Sequence, residues 1–244
     1  MKTVVTMTCW TKRINQMPIF LDYFFATQTK KPDIFYIWLA TEEFPDHKLP
    51  IALEECISKY GIILKWVEKN EYCHKRWRVY PEHFEDIVIS LDEDKRYPND
   101  LVESAKNCKY ITNLWFPKTN EYHEPYFIGL CGQCIVPPRT FPIEAYSEKY
   151  KEARIKCSPM NDECWLNVFI IKNNIKVTVD ISLLNPFEFD FKCSVDDTAL
   201  SVTHKDECFD LLLNTVNYMK DKYNFKIDMD KINSLIKYMN LGVE

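Results

Sequence analysis

The chain predicts an α/β fold: a mostly parallel central sheet with helices on both faces and a helical C-terminal segment. Three observations carry that expectation. Short apolar, β-branched runs recur in the first half, at Thr3–Thr8, at IFYIWLA (34–40), at Ile62–Val67 and at 86–91. Each is separated from the next by a stretch of helical periodicity long enough to be a crossover, which returns a strand parallel to its predecessor. The chain then closes on two helical patterns, Asp206–Lys222 and Asp230–Met239.

The elements follow in order. After the first strand, Asn15–Gln28 carries Met17, Leu21, Phe24 and Phe25 at helical spacing, and Lys31-Pro32-Asp33 is the turn into strand two. The second helix runs over Pro50–Tyr60 with Ile51, Leu53, Cys56 and Ile57 inward, and Gly61 stops it as a C-terminal cap. A helix near His74–Glu82 leads into strand four. Pro98-Asn99 opens a helix over Asp100–Cys108, and Tyr110–Asn113 is again a strand. Tyr126–Val136 is a long apolar stretch containing Gly129 and Gly132 and ending in Pro137-Pro138; Phe141–Arg154 is expected to be helical. Asn161-Asp162-Glu163 opens a helix over Cys164–Lys172, with Asn161 or Asp162 as N-cap, and Lys176–Asp180 is a short strand. No internal repeat, low-complexity tract or linker interrupts the chain, so one domain over 1–244 is the simplest account.

Composition excludes more than it assigns. A net charge of −5 and a pI near 5.7 give no argument for nucleic-acid binding. The longest apolar runs, Ile34–Ala40 and Cys164–Ile171, fall far short of the roughly 18–20 residues a membrane span needs. MKTVVTMTCWTKR reads as a first strand rather than a signal peptide. The ten cysteines are scattered through predicted elements, which suits reduced thiols in a cytoplasmic setting. Cys131 and Cys134 form a C-x-x-C, but no second pair stands at zinc-finger spacing. With only four glycines (Gly61, Gly129, Gly132, Gly242), neither a G-x-G-x-x-G fingerprint nor a Walker A loop can be assembled.

Chemistry concentrates in IVISLDEDKRYPNDLVE, residues 87–103. A buried strand that ends in clustered carboxylates places them at its carboxyl end, where ligands bind in open α/β sheets. Extended geometry directs Asp92 and Asp94 to one side, where they would hold a hard cation through oxygen, and turns Glu93 away from both. A second Asp-x-Asp, Asp228 and Asp230, merely begins the last helix. His74, Lys75, Arg76 and Arg78, interleaved with Trp77 and Tyr80, form a local basic cluster suited to a phosphate.

Four stretches taken together resemble nucleotide-sugar glycosyltransferases of the GT-A fold, of the small bacterial and viral polysaccharide-type (family 2-like) group. They are TCWTKRI with QTKKPDIFYIWLATEEFP, then DIVISLDEDKRYPNDL, then IGLCGQCIVPP, then NDECWL; they stand in the family's order and span about residues 3–170. The last part of the chain matches less clearly. Glu93 stands where the family more often has Asp, the second residue of the acidic pair is Glu163, and Cys131 and Cys134 replace small or aliphatic residues.

The resemblance implies a division into a nucleotide-binding half (1–115), an acceptor and catalytic half (116–205) and a helical C-terminal segment (206–244). It implies Mn2+ or Mg2+ bound by Asp94 directly, and by Asp92 directly or through water and the ribose, with His204 as a further metal ligand. Thr8, Trp10 and Arg13 would sit beside the nucleotide. Lys75 and Arg76 would neutralise the diphosphate, Glu93 would belong to the same donor site, and Gly129 and Gly132 would let backbone approach the sugar. Asp162, with its oxygens directed outward from a helix start, would be the general base, with Glu163 beside it; Trp165 is expected in the core. The implied reaction moves a sugar from a nucleotide donor, UDP-linked for preference, to a glycan or lipid-linked acceptor by direct displacement with inversion. Its setting would be the cytoplasm, with peripheral attachment to the inner face of a membrane as an option; oligomeric state is not legible. The rival functions are a sugar-nucleotide nucleotidyltransferase, which would need glycines that TMTCWTKR lacks, and a non-catalytic interaction protein on the same fold.

Overall fold

The computed structural model describes residues 1–114, 133–183 and 208–241. Its centre is a seven-stranded sheet of order β3-β2-β1-β4-β6-β5-β7. The strands are β1 (Thr3–Thr8), β2 (Ile34–Ala40), β3 (Ile63–Val67), β4 (Ile87–Ser90), β5 (Ile111–Asn113), β6 (Cys134–Val136) and β7 (Val177–Val179). β1 pairs in parallel with β2 and β4, β2 with β3, and β5 with β7, while β6 runs antiparallel to both β4 and β5. The sheet is therefore mostly parallel, as expected, with one reversed strand in its middle.

The period-2 alternation of the strands divides the core between the two faces. Val5, Met7, Phe35, Ile37, Leu39, Ile87, Ile89 and Leu91 face α1 (Met17–Thr27) and α2 (Ile51–Tyr60). Their neighbours Val4, Tyr36, Trp38, Ala40 and Val88 face the other way. There they meet Trp77, Tyr80 and the helices α6 (Asp162–Lys172), α7 (Cys208–Tyr223) and α8 (Met229–Leu241). α6 is buried almost all round, which explains why its sequence shows no polar stripe. Trp165, fully buried, donates its indole N–H to the Ala145 carbonyl at 2.9 Å, so it is a core residue.

Gly61 ends α2 at φ +63°, where a side chain would be strained though no atom lies within 4 Å of an added Cβ. Its demand is conformational. Two predicted helices are built differently. His74–Glu82 is mainly a 3-10 segment, Tyr72–Val79, running into the short α3 (Tyr80–His83). Phe141–Arg154 consists of two 3-10 turns followed by α5 (Lys151–Cys157). The helix after Pro98 likewise shortens to α4 (Leu101–Ser104) and a 3-10 turn. Cys9, Cys56, Cys73, Cys108, Cys134, Cys157 and Cys164 are free thiols. Among the described residues, no helix is long and apolar enough to cross a membrane.

Candidate active site

The chain goes from β1 outward through β2 to β3, then returns to lay β4 on the other side of β1. The connections leaving the carboxyl ends of β1 and β4 therefore diverge, and the crevice between them is the topological switch point at which open α/β sheets bind ligands. Thr8, Trp10 and Arg13 lie on the β1 side of this crevice; Asp92, Glu93 and Asp94 lie on the β4 side.

The three acidic residues do not continue the strand. β4 ends at Ser90, and a turn at 93–94 carries the chain away. Asp92 is anchored by both its oxygens: Arg76 Nη1 donates to Oδ1 at 2.6 Å and Gln133 Nε2 to Oδ2 at 2.9 Å. Its main chain exchanges hydrogen bonds with the buried Tyr97 hydroxyl, the amide donating at 2.8 Å and the carbonyl accepting at 3.2 Å. Asp94 instead meets Arg13 Nη1 at 3.3 Å, and Glu93 meets the same atom at the same distance. The expectation that Asp92 and Asp94 share a side while Glu93 points away is thus corrected. The turn pairs Glu93 with Asp94 on Arg13 and gives Asp92 to Arg76.

Lys75 and Arg76 are not a solvated helix face. Lys75 is buried, its ammonium donating to Glu43 at 3.0 Å and to Asn70 at 2.7 Å. Arg76 is buried as well; besides Asp92 it reaches Asp162 Oδ2 through Nε at 3.2 Å and the Cys73 carbonyl at 3.2 Å. Thr8 donates its hydroxyl to the Trp38 carbonyl at 2.8 Å. Trp10 is half-buried with the Lys12 ammonium 5.1 Å from its ring centre. Gly129, Gly132 and His204 lie outside the described residues.

The start of α6 settles which residue caps the helix. Asn161 accepts from the Cys164 amide at 2.8 Å, so the cap is Asn161 and Asp162 is released from that duty. The Asp162 carboxylate does not face outward: it is 1% exposed, and its Oδ2 takes the Trp77 indole N–H at 2.5 Å, with Arg76 Nε in ion-pair range at 3.2 Å. Burial raises its pKa, but the Arg76 charge first and the Trp77 hydrogen bond with it outweigh burial and hold it below the ordinary carboxylate range. Glu163 behaves in the opposite way. Burial, reinforced by the Asp162 and Asp92 charges and opposed by Arg76, pushes its carboxyl well above the usual range. Among the described residues no side chain makes an ion pair with it.

The 3-10 segment explains how these groups meet. With three residues per turn, side chains at i and i+3 eclipse, so Cys73 and Arg76 form one row and His74 and Trp77 the next. All four reach the beginning of α6. The Cys73 thiol donates to the Met160 carbonyl at 3.1 Å, and His74 Nε2 lies 2.6 Å from the Ser158 carbonyl. Burial pulls the His74 imidazole down to about 4, so it is neutral. Nε2 then donates to Ser158 and Nδ1 accepts from the Tyr146 hydroxyl at 2.9 Å. Trp77, Gln133 and Tyr97 were absent from the residues expected at the site. Trp77, Tyr97 and Gln133 lie beside predicted site residues in sequence, but nothing in the sequence shows that Gln133 reaches Asp92.

A divalent cation suits this donor set by charge. Asp92, Glu93, Asp94, Asp162 and Glu163 lie near the guanidinium groups of Arg13 and Arg76, and burial, with the Asp94 charge next and Arg13 opposing, raises Glu93 to about 7. Among the described residues, no group of three or more His, Cys, Asp or Glu side chains is arranged to hold a metal ion unaided. One or two carboxylates completed by water and substrate phosphates is the usual arrangement for Mg2+.

No family model and no curated protein matches the chain. Solved structures overlap it loosely. S. aureus TarS 1–349 matches at a TM-score of 0.47 and 12% identity, over 95% of this chain and 77% of that one. The same protein in complex with UDP matches at 0.46 and 11%, over 91% and 72%. In complex with UDP-GlcNAc it matches at 0.46 and 11%, over 91% and 73%. At this level of overlap nothing about activity follows from them.

Proposed function

We propose that the protein is a metal-dependent, inverting glycosyltransferase of the GT-A type that uses a nucleotide sugar, UDP-linked for preference. The observation that supports this most is the pairing of two acidic sites across one arginine. Asp92–Asp94 lie at the switch-point end of β4, and Asp162–Glu163 begin a helix that Arg76 ties to them. Donor binding belongs to the first site. Asp94 and Asp92 are the residues that would hold Mn2+ or Mg2+, which takes up charge developing on the departing diphosphate. Arg13 lies close enough to share that role.

The attack belongs to the second site, and there the geometry favours Glu163 over Asp162. A general base must be free to accept a proton and must have an affinity for it near the working pH. Asp162 is held ionised by the Trp77 N–H and the Arg76 charge, whereas the Glu163 carboxyl has the raised proton affinity. In the proposed step an acceptor hydroxyl forms a bond to the anomeric carbon. The bond from that carbon to the diphosphate oxygen breaks with its electron pair, and the hydroxyl proton passes to Glu163. The acceptor class proposed is a glycan or lipid-linked sugar.

Calorimetry with UDP, GDP, CDP and TDP, in Mn2+ and then in chelator, tests the donor site. Metal-dependent binding of at least one is expected, weakened in Asp94→Asn; binding of none of them defeats the proposal.

A further inference from the structure

We infer that Arg76 is the positioning residue of the site: its guanidinium, held between Asp92 at the end of β4 and Asp162 at the start of α6, sets the spacing between the donor carboxylates and Glu163. The inference rests on the transferase function proposed above and adds a role distinct from the diphosphate contact expected of a basic residue at this position.

Four observations carry it. First, two of the three guanidinium nitrogens of Arg76 are engaged within the protein. Nη1 goes to Asp92 at 2.6 Å, Nε to Asp162 at 3.2 Å and to the Cys73 carbonyl at 3.2 Å. The side chain is 6% exposed. Second, its backbone is fixed from the sheet side, the Thr6 hydroxyl of β1 donating to the Arg76 carbonyl at 2.8 Å. Third, its neighbours grip the approach to α6 independently, Cys73 at Met160, His74 at Ser158 and Trp77 at Asp162. The segment is thus a strap from the interior strand β1 to the helix start. Fourth, Glu163 follows Asp162 directly in the first turn of α6, so the seat of Asp162 fixes the seat of Glu163.

The chemistry calls for arginine in particular. Two neighbouring carboxylates repel unless a cation lies between them, and the planar guanidinium presents Nη1 to the partly exposed Asp92 and its Nε side to the buried Asp162. A lysine ammonium is one point of charge and cannot span both at these distances.

The experiment compares Arg76→Lys, Trp77→Phe, Asp162→Asn and the Arg76→Lys/Asp162→Asn double variant. Three quantities are read: UDP affinity in Mn2+, turnover of UDP-sugars with water or glycan as acceptor, and folding by circular dichroism. If wild type binds no nucleotide, the donor assignment fails first, and the role of Arg76 fails with it. Given binding, Arg76→Lys is expected to lower kcat about 10–100-fold, the scale of a misplacement near 1 Å, with UDP affinity changed less than about threefold. Because both residues act through one contact, the double variant should be no worse than the poorer single one. Trp77→Phe keeps the ring but loses the N–H, and should lower kcat about three- to tenfold, again without loss of UDP affinity. This variant decides the matter if Arg76→Lys does not fold. Losses that multiply in the double variant, or UDP affinity that falls in step with turnover, would make Arg76 a diphosphate ligand and overturn the inference. Unchanged kcat in both Arg76→Lys and Trp77→Phe would overturn it as well.

Discussion

The indole N–H of Trp77 donates to Oδ2 of Asp162 at 2.5 Å, joining two residues eighty-five positions apart. Arg76 reaches the same oxygen at 3.2 Å. A carboxylate held this way is kept ionised by its donors, and a proton arriving there would displace a hydrogen bond and oppose a guanidinium. Asp162 is suited to staying charged. Its neighbour Glu163, raised by burial and by the Asp162 charge itself, is suited to changing charge.

Replacing each carboxyl separates these roles. Glu163→Gln should lower kcat by about 10²–10⁴-fold, the usual contribution of a general base, while nucleotide binding in Mn2+ stays near wild type. Asp162→Asn should cost less, because it displaces the base rather than removing it. The measurement is steady-state transfer alongside calorimetry. A larger loss in Asp162→Asn than in Glu163→Gln would return the base to Asp162.

The pH profile gives a second, independent check. A general base works deprotonated, and burial first, then Asp162, raises the Glu163 carboxyl well above its ordinary range. Activity should therefore be low in weak acid and rise with pH along a limb displaced above about 4.3, the usual glutamate value. Asp162→Asn removes the larger of the two neighbouring negative charges while Arg76 still lowers Glu163, so the limb should move to lower pH. A limb that stays in place would mean that a different group titrates.

Glu93 makes a prediction about stability without ligand. Burial, with Asp94 next, raises its carboxyl to about 7 in the folded protein, against about 4.3 unfolded. Between those values the native state binds more protons than the unfolded state, so this group's contribution to stability falls as pH rises through the interval. Glu93→Gln removes that penalty. The Tm difference, variant minus wild type in chelator, should become more positive from about pH 4.5 to about pH 7 and then level off. A difference that shrinks over the same range contradicts the assignment.

How much of this was legible beforehand depended on whether the cause was local. Thr3–Thr8 and Ile34–Ala40 were read correctly because a buried strand imposes its pattern residue by residue. Gly61 was legible as a stop because only the left-handed backbone explains it there. The acidic cluster after β4 was visible, but its geometry was not: extended spacing put Asp92 with Asp94, whereas the turn at 93–94 sends them to different arginines. His74–Glu82 reads in sequence as a helix carrying a basic cluster suited to a phosphate, since nothing nearby in sequence shows that Asp92 and Asp162 lie on either side of Arg76. Such a role belongs to the fold. The orientation of β6, antiparallel to β4, was equally hidden, because its direction is set by the whole preceding connection.

The opposite end of the strands offers a control site where stability and catalysis should separate. Asp86 lies just before β4, at the amino-terminal end of the strands, away from the acidic cluster. It accepts the Lys2 amide at 2.6 Å and pairs with His83 Nδ1 at 2.9 Å, while His83 Nε2 lies 3.1 Å from the Tyr36 hydroxyl. Burial raises the Asp86 carboxyl, but the His83 hydrogen bond and the Lys2 amide outweigh it, and its pKa is lowered. A lowered folded value means the stabilisation is fully present above the unfolded pKa of about 3.9 and is lost as pH falls through the folded one. Asp86→Asn should therefore cost about 1–2 kcal/mol near pH 7, the loss of a charge-assisted hydrogen bond, and progressively less below about pH 4. Urea unfolding across that range measures it. Because Arg76, Asp162 and Glu163 are untouched, kcat at pH 7 should remain at the wild-type value; a matching fall in kcat would mean that the strap is coupled to this end through α3.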